Sequence, residues 1–413
     1  MICQFSVKNY KSIKEELTLD MQATAISEHV ESVITDKDGE QFLPLAAIYG
    51  PNGGGKSNVL GALNNLLARV MAPICAACPQ EDCDEKGKKV ITTPFKFSLE
   101  SKNKPTEYEL FFRTKTAEYQ YCLHLREQNV VYESLKRRKI DGVKYSDLYK
   151  RDVNKEKLLE FNGAFKKLQI EDISDNLPLI SYLAITNKKN PIVYDIIKWF
   201  EFEIDYKNYG DPIQEMGITI FKNPEIKKLV LKMIKEMDMD IDDYLIEEDN
   251  DKIKISTIHN INGIANELDL IKEESSGTIK IFGVVPYIAR SLVNGTTLVV
   301  DELDAKIHPQ LLKYIIQLYR DSEINKKGAQ LIFTSHDLST MTSELFRRDE
   351  IWFVSKSNIQ DSQMYSLVEF KMPDGKSVRK DARFDKQYLE GKYGADPYLK
   401  RIIDWEDING KEH

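Results

Sequence analysis

A short glycine-rich segment that ends in a lysine and a serine is the part of this sequence best suited to chemistry. It reads Gly50-Pro51-Asn52-Gly53-Gly54-Gly55-Lys56-Ser57 and matches the pattern G-x-x-x-x-G-K-[ST]. Glycines let a backbone fold around a polyphosphate with its N–H groups turned inward, and the N-terminus of a following helix adds partial positive charge. The segment therefore predicts a loop that binds the phosphates of a nucleotide.

Each polar group of this loop has an expected task. We expect Lys56 to reach the β- and γ-phosphates of ATP and the Ser57 hydroxyl to coordinate Mg²⁺. The residues expected to contact the nucleotide here are Gly50, Asn52, Gly53, Gly54, Gly55, Lys56, Ser57 and Asn58. A glycine-rich surface turn is the structural alternative.

The residues on both sides of the loop argue against a simple surface turn. Leu45-Ala46-Ala47-Ile48-Tyr49 is a short apolar run of the kind that forms a buried strand. After the loop, apolar residues recur at helical spacing, at Val59, Leu60, Leu63, Leu66, Leu67 and Val70. Strand, glycine loop and helix is the order that a phosphate-binding loop requires.

A second group of candidate residues lies in the C-terminal half of the chain. Thr297-Leu298-Val299-Val300-Asp301-Glu302 is an apolar strand that ends in two carboxylates, and α/β sheets present ligand-binding residues at the carboxyl ends of their strands. We expect Asp301 to hold Mg²⁺ and Glu302 to polarise the water that attacks the γ-phosphate. An acidic turn after a strand is the structural alternative.

Two further segments supply candidate residues. The apolar strand Leu331-Ile332-Phe333-Thr334 leads to His336, whose imidazole can hydrogen-bond the γ-phosphate as charge develops. Upstream, Ser275 and Gly277 lie in a small, hydroxyl-rich turn that opens an apolar helical stretch. Such a turn at a helix start binds anions, although ordinary helix caps have the same composition. The predicted catalytic residues are thus Lys56, Glu302 and His336.

Composition limits the class of protein. The chain has 413 residues, of which 42% are hydrophobic and 30% charged, and its formal net charge is −8. This length exceeds what one core supports, so two or three subdomains are expected. No apolar run approaches the ~20 residues of a membrane span, and the first residues lack the apolar core of a signal peptide. We expect a cytoplasmic protein that makes no use of a membrane.

Three local clusters each allow two interpretations. The basic segment 132–144 is either a nucleic-acid groove or a solvated face, and the net negative charge favours the second. Cys75, Cys78 and Cys83 have the spacing of a zinc knuckle, but no fourth ligand is evident, which favours a surface loop. The acidic segment 237–251 lacks the glycine and terminal glutamate of a calcium loop and is interpreted as solvated.

Taken together, the order of these motifs resembles the ABC-type ATPase head of the RecF, Rad50 and SMC proteins. The turn Asn9-Tyr10-Lys11-Ser12 also resembles the Asn-Phe-Arg/Lys-Ser turn near the start of those heads, which adds Lys11 to the expected nucleotide contacts. The resemblance implies an α/β P-loop ATPase head with an antiparallel β subdomain and a mostly helical insertion. It covers both ends of the chain and not the middle.

The resemblance also divides the chain. Residues 1–144 are expected to form the N-terminal part of the head, with the phosphate loop and a β meander. Residues 145–262 are expected to form the mostly helical insertion, because the sequence there is rich in Lys and Glu with apolar residues at helical spacing. Residues 263–413 complete the head.

A narrower resemblance rests on three segments of the C-terminal half, 301–309, 348–354 and 388–395. They are similar to the AAA15-type bacterial ATPases, a group that includes the RloA-like and AbiLi-like proteins of abortive-infection and phage-defence operons. By this resemblance the protein works with a separately encoded, nuclease-like effector.

The ABC-type resemblance implies that two heads sandwich ATP. Ser275 and Gly277 of one protomer would contact the γ-phosphate bound by Lys56 of the other, and Asp304 would link the two sites. The expected state is a homodimer or a higher oligomer. The turn reads Ser-Ser-Gly-Thr where transporter heads have Ser-Gly-Gly-Gln, and Gln120 is only a candidate for the glutamine loop, so slow hydrolysis is expected.

The leading hypothesis is therefore an ATP- and Mg²⁺-dependent ATPase that acts as the sensor or regulatory subunit of an anti-phage, abortive-infection system. The first alternative is a RecF/SMC-like repair or replication ATPase that binds duplex DNA, and nucleic acid remains a possible partner of either. The second alternative is a scaffold that holds ATP without turning it over. A transporter motor is disfavoured because no membrane segment is evident.

Overall fold

The computed structural model describes residues 1–77, 90–170, 172–208, 218–249, 252–372 and 374–395. Cys78 and Cys83, which with Cys75 suggested a zinc knuckle, lie outside the described residues, and so do residues 250 and 251 at the end of the acidic segment.

The described residues form the strands and helices whose bounds follow. The strands are β1 (Ile2–Lys8), β2 (Leu17–Asp20), β3 (Ile34–Thr35), β4 (Gln41–Phe42), β5 (Leu45–Tyr49), β6 (Thr106–Arg113), β7 (Ala117–Arg126), β8 (Asn129–Lys139), β9 (Ser146–Asp152), β10 (Leu159–Phe161), β11 (Ile204–Asn208), β12 (Asp243–Asp249), β13 (Lys252–Ile261), β14 (Ile264–Asp269), β15 (Thr297–Asp301), β16 (Gln330–Thr334), β17 (Ile351–Lys356) and β18 (Ser362–Ser366). The helices are α1 (Lys56–Ala76), α2 (Leu99–Lys102), α3 (Leu179–Thr186), α4 (Pro191–Phe202), α5 (Ile218–Lys222), α6 (Pro224–Glu236), α7 (Ser276–Asn294), α8 (Pro309–Arg320) and α9 (Phe384–Leu389).

A six-stranded sheet positions the candidate residues. Its strand order is β11-β15-β16-β5-β17-β18, and every neighbouring pair is parallel except β17 and β18. Strands β5, β15 and β16 are buried along their whole length, as expected for parallel strands covered on both faces. Their carboxyl ends lie at one edge of the sheet, which is where the loop 50–57 begins and where Asp301 and Glu302 lie at the end of β15.

Alternate residues of this sheet enter two separate cores. Ala47 and Val300 face a cluster that includes α6, α7 and α8, whereas Ile48 and Val299 face a cluster that includes α1, α3 and α4. This is the period-two alternation of a strand, used here to bury both faces. The C-terminal helix α9 joins the first cluster.

The second sheet is the antiparallel subdomain. It has seven strands in the order β10-β9-β8-β7-β6-β1-β2, and all its pairs are antiparallel. Helix α1 packs between this sheet and the central one, because its apolar residues share a core with strands of both. Among the described residues, α1 is the one helix whose length and apolar composition would allow it to cross a membrane, yet half of its apolar window is buried inside the protein.

The range 145–262 has mixed content. It holds the four helices α3–α6, but β9 and β10 extend the antiparallel sheet and β11 forms the edge of the central sheet. Strands β12 and β13 form a separate three-stranded antiparallel sheet with β14. The chain therefore returns twice to the head between residues 145 and 208 before it builds the smaller sheet.

One buried side chain connects the two large sheets. The amide of Gln330, fully buried at the start of β16, accepts hydrogen bonds from Ile2 N at 2.8 Å and from Thr297 Oγ1 at 3.1 Å. It donates to Ile2 O at 3.1 Å and to Leu43 O at 3.2 Å. All the hydrogen-bonding capacity of the amide is used, so β1 is held to the central sheet by polar contacts in a dry core.

Gln330→Leu should destabilise the protein by on the order of 3 kcal/mol, because it leaves buried backbone groups of Ile2 and Leu43 without partners. Urea unfolding followed by circular dichroism measures the change. Gln317→Leu, on the exposed side of α8, is the matched control and should be nearly neutral. Equal stability of the two variants would show that the amide does not join the sheets.

Candidate functional site

The predicted phosphate loop connects β5 directly to α1. Gly55 is the N-cap of α1 and has a φ of 113°, a conformation that L side chains rarely adopt. A side chain at Gly55 would overlap Ser362 Oγ, and one at Gly50 would overlap the carbonyl oxygen of Val354. Glycine is therefore required at both ends of the loop, on steric grounds alone.

Lys56 begins α1 and is buried. Its Nζ donates hydrogen bonds to Gly50 O at 2.9 Å and to Pro51 O at 3.3 Å. Desolvation lowers the pKa of Lys56 to about 8, and the negative charges of Asp301, Asp304 and Glu302 oppose this shift. The lysine thus shares an electrostatic environment with the acids that the sequence suggested as its partners.

Thr334, at the end of β16, organises those acids. Its hydroxyl donates to Asp301 Oδ1 at 2.6 Å and accepts from Glu302 N at 2.7 Å. Asp301 itself is only 3% exposed. One hydroxyl therefore fixes the carboxylate of Asp301 and the backbone of Glu302 together, a role that sequence reasoning did not assign to Thr334.

Glu302 has an unusual backbone conformation. Its φ is 55°, in the left-handed region that non-glycine residues seldom occupy. Besides Thr334, Lys280 of α7 holds this residue, because its Nζ donates to Glu302 O at 3.3 Å. Backbone strain of this kind concentrates at functional sites, so the conformation supports the choice of Glu302 as a candidate.

His336 and Asp304 form the next contact at this edge of the sheet. The backbone N–H of His336 donates to Asp304 Oδ2 at 2.9 Å. The other carboxylate oxygen, Asp304 Oδ1, is buried and has no hydrogen-bond partner among the described residues. Desolvation of the imidazole and then the charge of Lys56 lower the pKa of His336, so the side chain is neutral at physiological pH.

The turn that contains Ser275 and Gly277 caps α7. Ser275 Oγ accepts from Thr278 N at 3.1 Å, and a side chain at Gly277 would come within 3.2 Å of Lys306 O. The turn therefore lies beside the segment after Glu302, with Ser275 exposed. Within the described part of the chain, neither residue hydrogen-bonds to its own loop 50–57.

Lys11 belongs to a rigid turn at the other side of the loop. Asn9 and Lys11 both have positive φ, and the Asn9 amide donates to three carbonyls, those of Ser101, Lys104 and Pro105. The Lys11 side chain is exposed, with its ammonium 5.3 Å from the centre of the Tyr10 ring. A side chain at Gly61 would come within 4.0 Å of this ammonium, so the cation lies beside the second turn of α1.

A chain of hydroxyl groups connects that turn to the loop. Asn58 Nδ2 donates to Ser12 Oγ at 2.7 Å, Ser12 Oγ lies 2.7 Å from Ser362 Oγ, and Ser362 Oγ donates to Gly54 O at 2.8 Å. Of these residues, the sequence predicted a nucleotide role only for Asn58 and the loop glycine. Ser362 belongs to no sequence motif for nucleotide binding, and it reaches the phosphate loop only because the fold places β18 beside that loop.

A family model matches most of the chain. Residues 45–342 match the model of the family described as "AAA domain, putative AbiEii toxin, Type IV TA system". The match spans well over half of the chain and includes the phosphate loop, the acids after β15 and His336. The chain therefore belongs to this family of AAA domains. Comparison with curated proteins found no match.

Comparison with solved structures finds SMC heads. The SMC head domain from Thermotoga maritima is 14% identical, with 88% of this chain and 98% of that chain covered, at a TM-score of 0.39. An Smc head bound to the C-terminal winged-helix domain of ScpA is 13% identical, with 88% and 97% covered, at a TM-score of 0.41. An Smc head with an extended coiled coil, bound to the C-terminal domain of ScpA derived from Pyrococcus furiosus, is 13% identical, with 88% and 96% covered, at a TM-score of 0.38. At these scores the likeness is loose, and residue roles are not transferred from it.

The Lys56 ammonium of the free protein should titrate near pH 8, well below the value of about 10.4 for an exposed lysine. Competitive acylation at a series of pH values, followed by peptide mass spectrometry, measures its titration. Asp301→Asn should lower the midpoint further, because it removes a negative charge that stabilises the ammonium. A midpoint that rises or stays unchanged in that variant would show that the two side chains do not interact.

Proposed function

We propose that this AAA-domain protein binds and hydrolyses ATP with Mg²⁺, and that it is the sensor or regulatory subunit of an anti-phage, abortive-infection system in the cytoplasm. The observation that carries the ATPase part is the shared environment of Lys56 with Asp301 and Glu302 at the carboxyl edge of one parallel sheet. A cation on a glycine loop opposite two carboxylates is the arrangement that phosphoryl transfer uses.

Binding would begin at the loop. In the free protein Lys56 Nζ is held by the carbonyls of Gly50 and Pro51, so the phosphates of ATP would replace neutral acceptors with charged ones. Charge-assisted hydrogen bonds are the stronger kind, and the nearby phosphates would raise the pKa of Lys56. The free N-terminus of α1 would add its partial positive charge to the same group.

Magnesium fits the residues at this edge. Among the described residues, no group of three or more His, Cys, Asp or Glu side chains could hold a metal ion without help. Mg²⁺ in a nucleotide site does not require three such side chains, because it is held by one or two protein ligands, by phosphate oxygens and by water. Ser57, exposed on the first turn of α1, and Asp301 would hold the ion, which would neutralise charge on the phosphates.

The remaining residues of the site would act on the attacking water and on the γ-phosphate. Glu302 would accept a proton from the water, and Thr334 would keep Glu302 in register with Asp301. Neutral His336 would donate a hydrogen bond to the γ-phosphate. These groups would lower the activation barrier because the fold holds them in fixed positions. Phosphoryl transfer depends mainly on orientation and charge neutralisation.

A second protomer would complete the site. Ser275 is exposed, Gly277 lies beside Lys306, and among the described residues neither hydrogen-bonds to the loop of its own chain, which supports a contact with the γ-phosphate of a partner. Asp304, which accepts a hydrogen bond from His336 N through Oδ2, would link the two sites, as the resemblance to ABC-type heads implies. The homodimer or higher oligomer would then depend on the γ-phosphate and act as a switch.

The biological role rests on the family and on the narrower resemblance. The family description refers to a toxin and a type IV toxin–antitoxin system, which supports a place in abortive infection. The AAA15-type resemblance of the segments 301–309, 348–354 and 388–395 adds a separately encoded effector, and a nuclease-like reading frame beside this gene would support it. The Ser-Ser-Gly-Thr turn supports slow hydrolysis, as suits a switch.

The alternative of a DNA-binding repair ATPase has less support. In the basic segment 132–144, Arg138 pairs with Glu40 at 2.8 Å and with Glu118 at 2.9 Å, and it is mostly buried. These contacts neutralise part of the charge that duplex DNA would need. Arg138 therefore belongs to an internal ion-pair network of the antiparallel subdomain.

Glu302→Gln should lower the rate of phosphate release roughly a hundredfold or more while ATP binding and ATP-dependent dimers persist, because only the proton acceptor is lost. Lys56→Ala should lose both ATP affinity and dimers. Phosphate release, ATP titration and light scattering measure the three properties.

Glu323→Gln, an exposed glutamate of the loop after α8 with a side chain 85% exposed, is the control and should behave as the wild type. Unchanged phosphate release and an unchanged cellular phenotype in the Glu302 variant would support the scaffold alternative instead. Tight ATP affinity in Lys56→Ala would contradict the assignment of the loop.

A further inference from the structure

We propose that Ser362 is a positioning residue of the phosphate loop, which makes the C-terminal hairpin β17–β18 part of the nucleotide site. Its hydroxyl fixes the peptide between Gly54 and Gly55 so that the N–H of Gly55 faces the bound phosphates. This inference rests on the proposed function, since it assigns a role in that same site.

The geometry of one peptide carries the first step. Ser362 Oγ donates to Gly54 O at 2.8 Å, in a contact between residues 308 positions apart. In a trans peptide the C=O and the following N–H point in opposite directions, and no cis peptide occurs among the described residues. Since the Gly54 carbonyl is turned toward Ser362, the Gly55 N–H is turned away from it, to the side of the peptide opposite the serine hydroxyl.

The space around Gly55 supports the same orientation of the Gly54–Gly55 peptide. A side chain at Gly55 would overlap Ser362 Oγ and would come within 2.9 Å of Ser12 Oγ. The two serine hydroxyls thus occupy the space beside Gly55, and Ser362 is only 2% exposed. The loop cannot turn its Gly54–Gly55 peptide over without breaking a buried hydrogen bond.

The direction of every hydrogen bond in this group follows from proton counting. The amide of Asn58 can only donate to Ser12 Oγ through Nδ2, and Gly54 O can only accept. A hydroxyl has one proton, so that of Ser362 goes to Gly54 and that of Ser12 goes to Ser362. The result is a single directed chain from Asn58 through both serines to Gly54, and such chains are cooperative.

The chain joins parts of the protein that are distant in sequence. Ser12 belongs to the N-terminal turn that also holds Lys11, Asn58 belongs to the first turn of α1, and Ser362 begins β18. The backbone N–H of Ser362 also donates to Ser12 O at 2.8 Å. Any displacement of the hairpin would therefore reach the phosphate loop, and nucleotide binding would reach the hairpin.

Ser362→Ala tests the role by steady-state ATPase kinetics and ATP titration. The KM and the Kd for ATP should rise roughly tenfold, the effect of one lost buried hydrogen bond, with kcat changed less than about twofold. Ser366→Ala is the matched control, because Ser366 is as buried, lies on the same strand and donates to Arg348 O at 3.3 Å away from the loop. Its KM should equal that of the wild type.

Ser12→Ala supplies a second route to the same test. It removes the donor to Ser362, so its KM should rise, and the Ser12/Ser362 double variant should show less than the product of the two single effects. Thermal melts without nucleotide identify a variant that fails to fold. If Ser362→Ala does not fold, the KM of Ser12→Ala tests the positioning role instead. A raised KM supports the role, and a wild-type KM overturns it.

The outcomes separate this inference from the proposed function. If the wild type shows no ATP binding, the proposed function fails whatever Ser362 does. If the wild type binds ATP and the KM of Ser362→Ala equals that of Ser366→Ala, the proposed function stands and the positioning role is overturned. If the rise in KM of the double variant equals the product of the two single effects, the two serines act independently, and the directed chain of hydrogen bonds is overturned.

Discussion

Parallel pairing of β16 with β5 on one side and with β15 on the other is the constraint on which this site depends. The register sets Thr334 opposite Ile48 and Val300 opposite Phe333, so three strands end at one level of the sheet. Because parallel strands point the same way, the glycine loop, the two acids and the histidine strand must emerge together. Residues separated by more than two hundred positions become neighbours for this reason alone.

The juxtaposition has an electrostatic cost that the fold offsets locally. Burial of the Lys56 ammonium disfavours its charged form and lowers its pKa. The negative charges of the acids at the end of β15 oppose part of this shift. The Asp301 carboxylate is stabilised in turn by the Thr334 hydroxyl. Under the proposed function, a site that holds charges of both signs suits a metal–polyphosphate ligand, because that ligand carries both signs as well.

The sequence predicted the parts of the fold whose local pattern is strong. The strands 45–49 and 297–301 and the helix after Ser57 lie where the apolar runs and the helical spacing placed them, and the α/β class with an antiparallel subdomain is confirmed. In the range 145–262, however, strands such as β12 and β13 accompany the helices, whereas the abundance of Lys and Glu favoured a mostly helical segment. The roles of Thr334 and Ser362 escaped prediction because an isolated hydroxyl gives no signal until the fold supplies its partners.

The claim that one triphosphate is held between two protomers is tested most directly by mixing two inactive variants. Lys56→Ala removes the loop cation of a site, and Ser275→Arg blocks the turn that the partner contributes. If the site is shared, an equal mixture recovers ATPase activity that neither variant has alone, because only a mixed dimer joins an intact loop to an intact turn, in one of its two sites. If each chain works alone, the mixture shows only the average of the two activities measured separately, and the account of a shared site is wrong.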